Sequence, residues 1–254
     1  MDVVIAILVK DKEATLPLFF QCLLNQTFPK ERTILYIRTN DNTDRSEELI
    51  STFIKEHGSK YKFVFYDATS VSGELKKYEA HEWNSERFKI LGKIRDDSVK
   101  YALKHNAHYF VIDIDNFIVP STLDDMLAVS SLGVIAPMLT TSTAYSNYHS
   151  SVDQSGYLLH DEMSMPILLK QIKGCIDVPV VHCTYFIANN ILDKVSYDDD
   201  SYRYEYVIFS DVLRKQKIPQ YIDNRKDYGR ITFAVTKEEF ETFWDSNKSL
   251  FTQI

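Results

Sequence analysis

Two carboxylates one residue apart, Asp113-Ile114-Asp115, follow directly on the apolar run Tyr109-Phe110-Val111-Ile112. Such a run is a buried strand, and in open α/β sheets ligands bind beyond the carboxyl ends of the strands. Two carboxylates in that place can share a hard divalent cation. The cation would bridge diphosphate oxygens and neutralise charge building on a departing phosphate. Spacing alone also allows a plainer reading, in which one Asp caps a helix and the other meets solvent. A second polar cluster, Thr39-Asn40-Asp41-Asn42-Thr43-Asp44, ends another strand-like run. Its short side chains suit the hydrogen bonds of a base and ribose, and equally a turn with a helix N-cap. Lys93-Ile94-Arg95 lies in a helical pattern ahead of the carboxylates. A guanidinium there can fork onto a diphosphate, although a solvated helix face is the ordinary place for both cations.

Other chemistries lack their motifs. The sequence contains no G-x-x-x-x-G-K-[ST], no G-x-G-x-x-G, no G-x-S-x-G and no H-E-x-x-H. A P-loop, a dinucleotide fingerprint, a hydrolase elbow and a zinc-protease site are therefore not indicated.

The elements that must position these residues alternate. Val3 to Val9 is a β-branched strand covered on both faces, followed by a helix with Pro17 in its first turn. Thr33 to Thr39 and Tyr61 to Tyr66 read as strands, and a capping box at Asp44-Arg45-Ser46-Glu47 opens a helix that stops at Gly58. A long helix runs from about Ser85 to His105 and leads into the strand before the carboxylates. Gly133 to Met138 and Pro179 to Ile187 are strand-like, with a Ser/Tyr-rich loop from Thr140 to Ser151 between them. A helix over Glu205 to Lys215, a strand over Gln220 to Asp223 and a helix opened by the box Thr236-Lys237-Glu238-Glu239 complete the chain. This pattern predicts one α/β domain over residues 1–254, a mostly parallel central sheet flanked by helices.

The 254 residues suffice for a sizeable core, and a hydrophobic content of 44% excludes an acidic disordered chain. A net charge of −7 argues against nucleic acid as a partner. No apolar run approaches the ~20 residues of a membrane span. Cys22, Cys175 and Cys183 form no C-x-x-C pair. A Cys175–Cys183 bridge and three buried thiols both remain open. The amino terminus lacks a basic region and a small-residue cleavage site, and Phe251-Thr252-Gln253-Ile254 is no retention signal. The chain as written reads as cytoplasmic, or as one trimmed of its address.

Together the motifs resemble the procollagen galactosyltransferases, glycosyltransferase family 25, along nearly the whole chain. The resemblance rests on Leu16-Pro17-Leu18-Phe19, Asn42-Thr43-Asp44, Lys93-Ile94-Arg95, Ile112-Asp113-Ile114-Asp115-Asn116 and Ala136-Pro137-Met138-Leu139. It continues through Ala144-Tyr145-Ser146-Asn147, Val178-Pro179-Val180-Val181-His182, Asn224 and Tyr228-Gly229. It implies a Rossmann-like GT-A fold, a UDP-hexose donor (galactose or glucose), Mn2+, and a collagen-like acceptor bearing hydroxylysine or galactosylhydroxylysine. Family members are often found in the endoplasmic reticulum lumen. Carried onto this chain, Asp113 and Asp115 hold the metal. Val9, Lys10, Asn42, Asp44, Lys93, Arg95 and Asp113 line the donor, and Tyr145, Asn147 and His182 face the acceptor. The family has an Asp-Asp pair where this chain has Tyr204-Glu205, which leaves Glu205 as the expected catalytic base and weakens the inference to inverting galactosyl transfer. Two alternatives stand beside this one: a non-catalytic binding or adhesion module on the same fold, and a hexosyltransferase with a different glycan acceptor.

Overall fold

The computed structural model describes residues 1–71, 85–234 and 236–251; Thr252, Gln253 and Ile254 lie outside them. The elements in order are β1 (Val3–Val9), α1 (Leu16–Leu24), β2 (Thr33–Thr39), α2 (Ser46–His57), β3 (Phe63–Asp67), α3 (Ser85–Lys104), β4 (His108–Ile112), β5 (Asn116–Ile118) and α4 (Thr122–Ala128). They continue with β6 (Val134–Pro137), β7 (Tyr148–His149), α5 (Ser164–Leu168), β8 (Cys175–Val178), β9 (Val180–Val181), β10 (Thr184–Ile187), α6 (Glu205–Lys215), β11 (Gln220–Asp223), β12 (Gly229–Ile231) and α7 (Lys237–Phe251).

Eight strands form the main sheet in the order β3-β2-β1-β4-β10-β6-β11-β8. β1 pairs in parallel with β2 from Val3↔Thr33 to Val9↔Thr39, and on its other edge with β4 from Val3↔His108. Only β10 and β8 run against the rest. The chain leaves β1 toward β2 on one side and reaches β4 on the other. The gap between β1 and β4 is thus the switch point at which open sheets of this kind hold ligands. Residues 113–115 leave the sheet at the same edge as Val9 and Thr39.

Side-chain alternation explains the continuous apolar run in β1. Val3, Ile5, Ile7 and Val9 face a core completed by α1, α2 and α7, whereas Val4 and Ala6 face one completed by α3 and α6. α7 packs Phe240, Phe243 and Phe251 around Phe117 of β5. Its start is a reciprocal capping box: Thr236 N–H donates to Glu239, and Glu239 N–H donates to the Thr236 hydroxyl.

Two expectations change, and one open choice is settled. The run 179–187 is not one strand. Cys183 has φ +62°, and Thr184 N–H donates to the His182 carbonyl at 2.7 Å, a strained three-residue turn. That turn sends β9 into a small sheet with β7 and β10 into the main sheet. The box at Asp44 does not close either. Asp44 accepts from Ser46 N–H, but Glu47 turns to the Asn42 amide instead of reaching back. Finally, Cys175 and Cys183 are free thiols, as is Cys22.

Candidate active site

The turn carrying Asp113 and Asp115 is pinned by its own backbone. Asp113 N–H donates to the Cys183 carbonyl at 3.1 Å, and the Asp115 carbonyl accepts from Thr232 N–H at 2.9 Å. Thr184, the first residue of β10, ties in two further segments. Its hydroxyl accepts from the Asn116 amide at 2.7 Å, and its carbonyl accepts from the Asn147 amide at 3.1 Å. Strain at Cys183 is what lets one carbonyl reach back to Asp113 while the next residue enters the sheet.

Each carboxylate of the pair gives one oxygen to a cation of the chain. Arg95 Nη2 lies 3.0 Å from Oδ1 of Asp113, and Lys12 Nζ lies 3.2 Å from Oδ2 of Asp115. About a third of each Asp side chain is exposed (28% and 31%). Burial pushes the Asp115 carboxyl up, and Lys12 pulls it back. Two hard oxygen donors at a partly exposed strand end suit a Mg2+- or Mn2+-type cation, which Asp113 and Asp115 would hold. Among the described residues no cluster of three or more His, Cys, Asp or Glu forms, so such a cation depends on the substrate for the rest of its shell.

Beneath Asp113 lies a closed polar cluster. Arg95 is 5% exposed, and its Nε stands 3.3 Å from Oε1 of Glu205, itself 5% exposed. Burial raises the Glu205 carboxyl above its ordinary range, and Arg95 opposes that shift. Arg95 Nε and Nη1 are both buried without a hydrogen-bond partner, so its contact with Glu205 is an ion pair and not a hydrogen bond. Gly92, one turn earlier in α3, makes the approach possible: a Cβ there would stand 2.6 Å from the Tyr197 carbonyl oxygen. Lys93 is exposed, because two residues turn an α-helix by about 200° and carry it away from the face that Arg95 presents. The Lys93-Ile94-Arg95 motif thus contributes Arg95 alone to this cluster.

The donor-side loops are knit to each other. Asn42 accepts from Asp11 N–H and donates to Thr39 and Glu47; Asp44 accepts from Glu13 and Ser46 N–H. Burial pushes the Asp44 carboxyl up, but these hydrogen bonds outweigh it and hold it below the usual range. Both side chains shape the loop after β2 through these bonds, at the edge where contact with a nucleotide is expected. Val9 is buried and offers its backbone, whose carbonyl accepts from the Thr39 hydroxyl. Lys10 reaches the Asp41 carbonyl at 2.8 Å.

On the opposite side stands a wall of rings. Phe233 and Tyr145 meet at 5.2 Å between centroids, Tyr145 and His182 at 5.8 Å, and His182 and Tyr206 at 5.1 Å. His149 joins at 5.3 Å from His182. Burial drives His182 down to about 3 and His149 to about 4, so both rings are neutral near pH 7. His182 Nδ1 lies 2.9 Å from Cys183 Sγ, while His182 Nε2 has no partner. Asn147 does not belong to this wall. It is fully buried, and its amide serves Leu139 N–H and the carbonyls of Pro137 and Thr184. It is a structural clamp, which corrects its expected place at the acceptor. Lys12, Phe233 and Tyr206 escaped the sequence reading, since no local motif marks residues that meet only through the fold.

A doubly flanked, mostly parallel sheet with carboxylates at its switch point is the architecture of GT-A glycosyltransferases. Staphylococcus aureus TarS 1–349 in complex with UDP-GlcNAc superposes with a TM-score of 0.60 at 15% identity, covering 95% of this chain and 61% of that one. The chain belongs to glycosyltransferase family 25: the model of that family's N-terminal domain matches residues 1–252. A glycosyltransferase 25 family member of Anopheles gambiae is 31% identical over 242 residues, 90% of this chain and 41% of that protein. Human procollagen galactosyltransferase 2 is 27% identical over 240 residues, 89% of this chain and 38% of that protein. The chain thus spans about two fifths of the length of these relatives.

Proposed function

We propose that this chain transfers a hexose, galactose or glucose, from a UDP-sugar to a hydroxyl of a collagen-like acceptor, hydroxylysine or galactosylhydroxylysine. The observation that carries the reading is the Asp113/Asp115 pair, held at the switch point with Arg95 and Lys12 against it. Asp113 and Asp115 would hold a divalent cation, which would supply charge neutralisation for a departing UDP. The chain's own residues do the rest. Lys12 and Lys10 bring positive charge to the donor edge, and the interlocked loops after β1 and β2 fix its shape. Tyr145, His182, Tyr206 and Phe233 present a face against which an acceptor is oriented and water is excluded. The collagen acceptor draws support from the similarity to procollagen galactosyltransferases.

Calorimetry with UDP, GDP and ADP, each with Mn2+, tests the donor. UDP is expected to bind at least about tenfold tighter, a difference of ~1.4 kcal/mol; equal affinity for all three would overturn a uridine donor. Separate incubations with UDP-Gal and UDP-Glc, over bare and galactosylated hydroxylysine peptides, then read the sugar, with the linkage determined by NMR. The human inactive glycosyltransferase 25 family member 3 is 25% identical over 249 residues, which favours a binding-only second reading. UDP binding without its release from UDP-sugars in the presence of acceptor would establish that one.

A further inference from the structure

Glu205 opens α6 where a base was expected, yet its carboxylate is turned inward. Its side chain is 6% exposed and lies against an equally buried guanidinium. Tyr204, one position earlier, is the residue of the pair that solvent reaches, at 36% exposure. A general base must come within ~2.6–3.2 Å of the hydroxyl it deprotonates. Glu205 instead has Arg95 Nε at 3.3 Å, and the same guanidinium holds Asp113 through Nη2 at 3.0 Å. One cation from α3 thus bridges two carboxylates, one from α6 and one just beyond β4. The close seat of Gly92 on the Tyr197 carbonyl fixes the spacing of that bridge.

We infer that Glu205 is a positioning residue of the donor end: it holds Arg95, Arg95 fixes one oxygen of Asp113, and Glu205 does not take the acceptor's proton. With Oδ1 of Asp113 engaged, the orientation of its second oxygen toward a cation is set. Partners that orient a metal-binding group from behind change metal affinity by about 10- to 100-fold when removed. The inference rests on the donor reading of Asp113 given above.

The test is calorimetry of UDP, with and without Mn2+, on wild type, Glu205→Gln, Arg95→Met and the double variant. Glu205→Gln is expected to weaken UDP binding in Mn2+ by about tenfold, and the double variant to bind no more weakly than Arg95→Met alone, because the two act in series. Single-turnover transfer under saturating donor should be nearly restored. A base would give the opposite pattern, with unchanged UDP affinity in Mn2+ and a collapse of transfer at saturating donor; that outcome overturns the inference. Should Glu205→Gln fail to fold, Glu205→Asp, which withdraws the carboxylate by one methylene, must weaken UDP binding in Mn2+, and an unchanged affinity counts against it. A wild-type protein that binds no UDP removes the donor reading itself, and this inference with it.

Discussion

The two sides of the Asp113–Asp115 turn are built by different physics. On the donor side, short polar residues between Lys10 and Ser46 satisfy one another's backbone at the surface, as Asn42 does for Asp11 and Asp44 for Glu13. On the other side, Tyr145, His149, His182, Tyr206 and Phe233 come from four separate stretches of chain and form a dense ring cluster. Beneath both, Arg95 and Glu205 are closed off from solvent. Polar loops can adjust around a substrate at small cost, whereas a buried ion pair or a buried neutral imidazole has no such latitude. Sensitivity to substitution and to acid should therefore concentrate beneath and beyond the carboxylates and remain slight on the donor rim.

Removing the charge beneath is expected to hurt most. Arg95→Met leaves Asp113 and Glu205 without their shared cation, at a cost of about 3–5 kcal/mol in urea unfolding at pH 7. Acid distinguishes the ring side next. His149 and His182 are held at about 4 and about 3, below the ordinary 6.5, so the unfolded chain takes up protons first as pH falls. Stability they contribute is complete above pH 6.5 and is lost toward those values, on the order of 3 kcal/mol by pH 4 for His149. Measured against pH, unfolding midpoints of His149→Gln should fall less steeply than those of wild type; parallel curves would break the contrast. The donor rim should respond weakly. Asp44→Ala removes the side-chain acceptor of two backbone N–H groups for about 1–2 kcal/mol, and Lys12→Ala, at a pair about a third exposed, changes stability by at most about 1 kcal/mol. A larger loss at Lys12 than at Arg95 would invert the comparison.

The same contrast governs how much could be read from the sequence. β2 from Thr33 to Thr39, α6 from Glu205 to Lys215 and β11 from Gln220 to Asp223 stand where expected, because periodicity and turn residues are local signals. The carboxylate pair was legible for the same reason, as a motif attached to a strand end. The break at Cys183 was not, since a β-branched run looks alike whether it stays straight or turns once. Nor could local pattern distinguish Arg95 from Lys93, or reveal that Asn147 faces three backbone groups and Glu205 a guanidinium. Those roles are assigned by residues 8 to 110 positions away, and only the packed fold brings them together.

The pins on Thr184 also set an order of assembly. β1 to β5 and their helices are complete by Ile118, so a chain emerging amino terminus first can pair four strands of the main sheet before Thr184 has been made. Until Cys183 and Thr184 arrive, Asp113 lacks the Cys183 carbonyl and Asn116 the Thr184 hydroxyl, and the turn has nothing to brace it on that side. Such long-range contacts form late because loop closure precedes any reward. A nascent chain interrupted before Cys183 and Thr184 would thus carry both carboxylates and much of the sheet without a formed site.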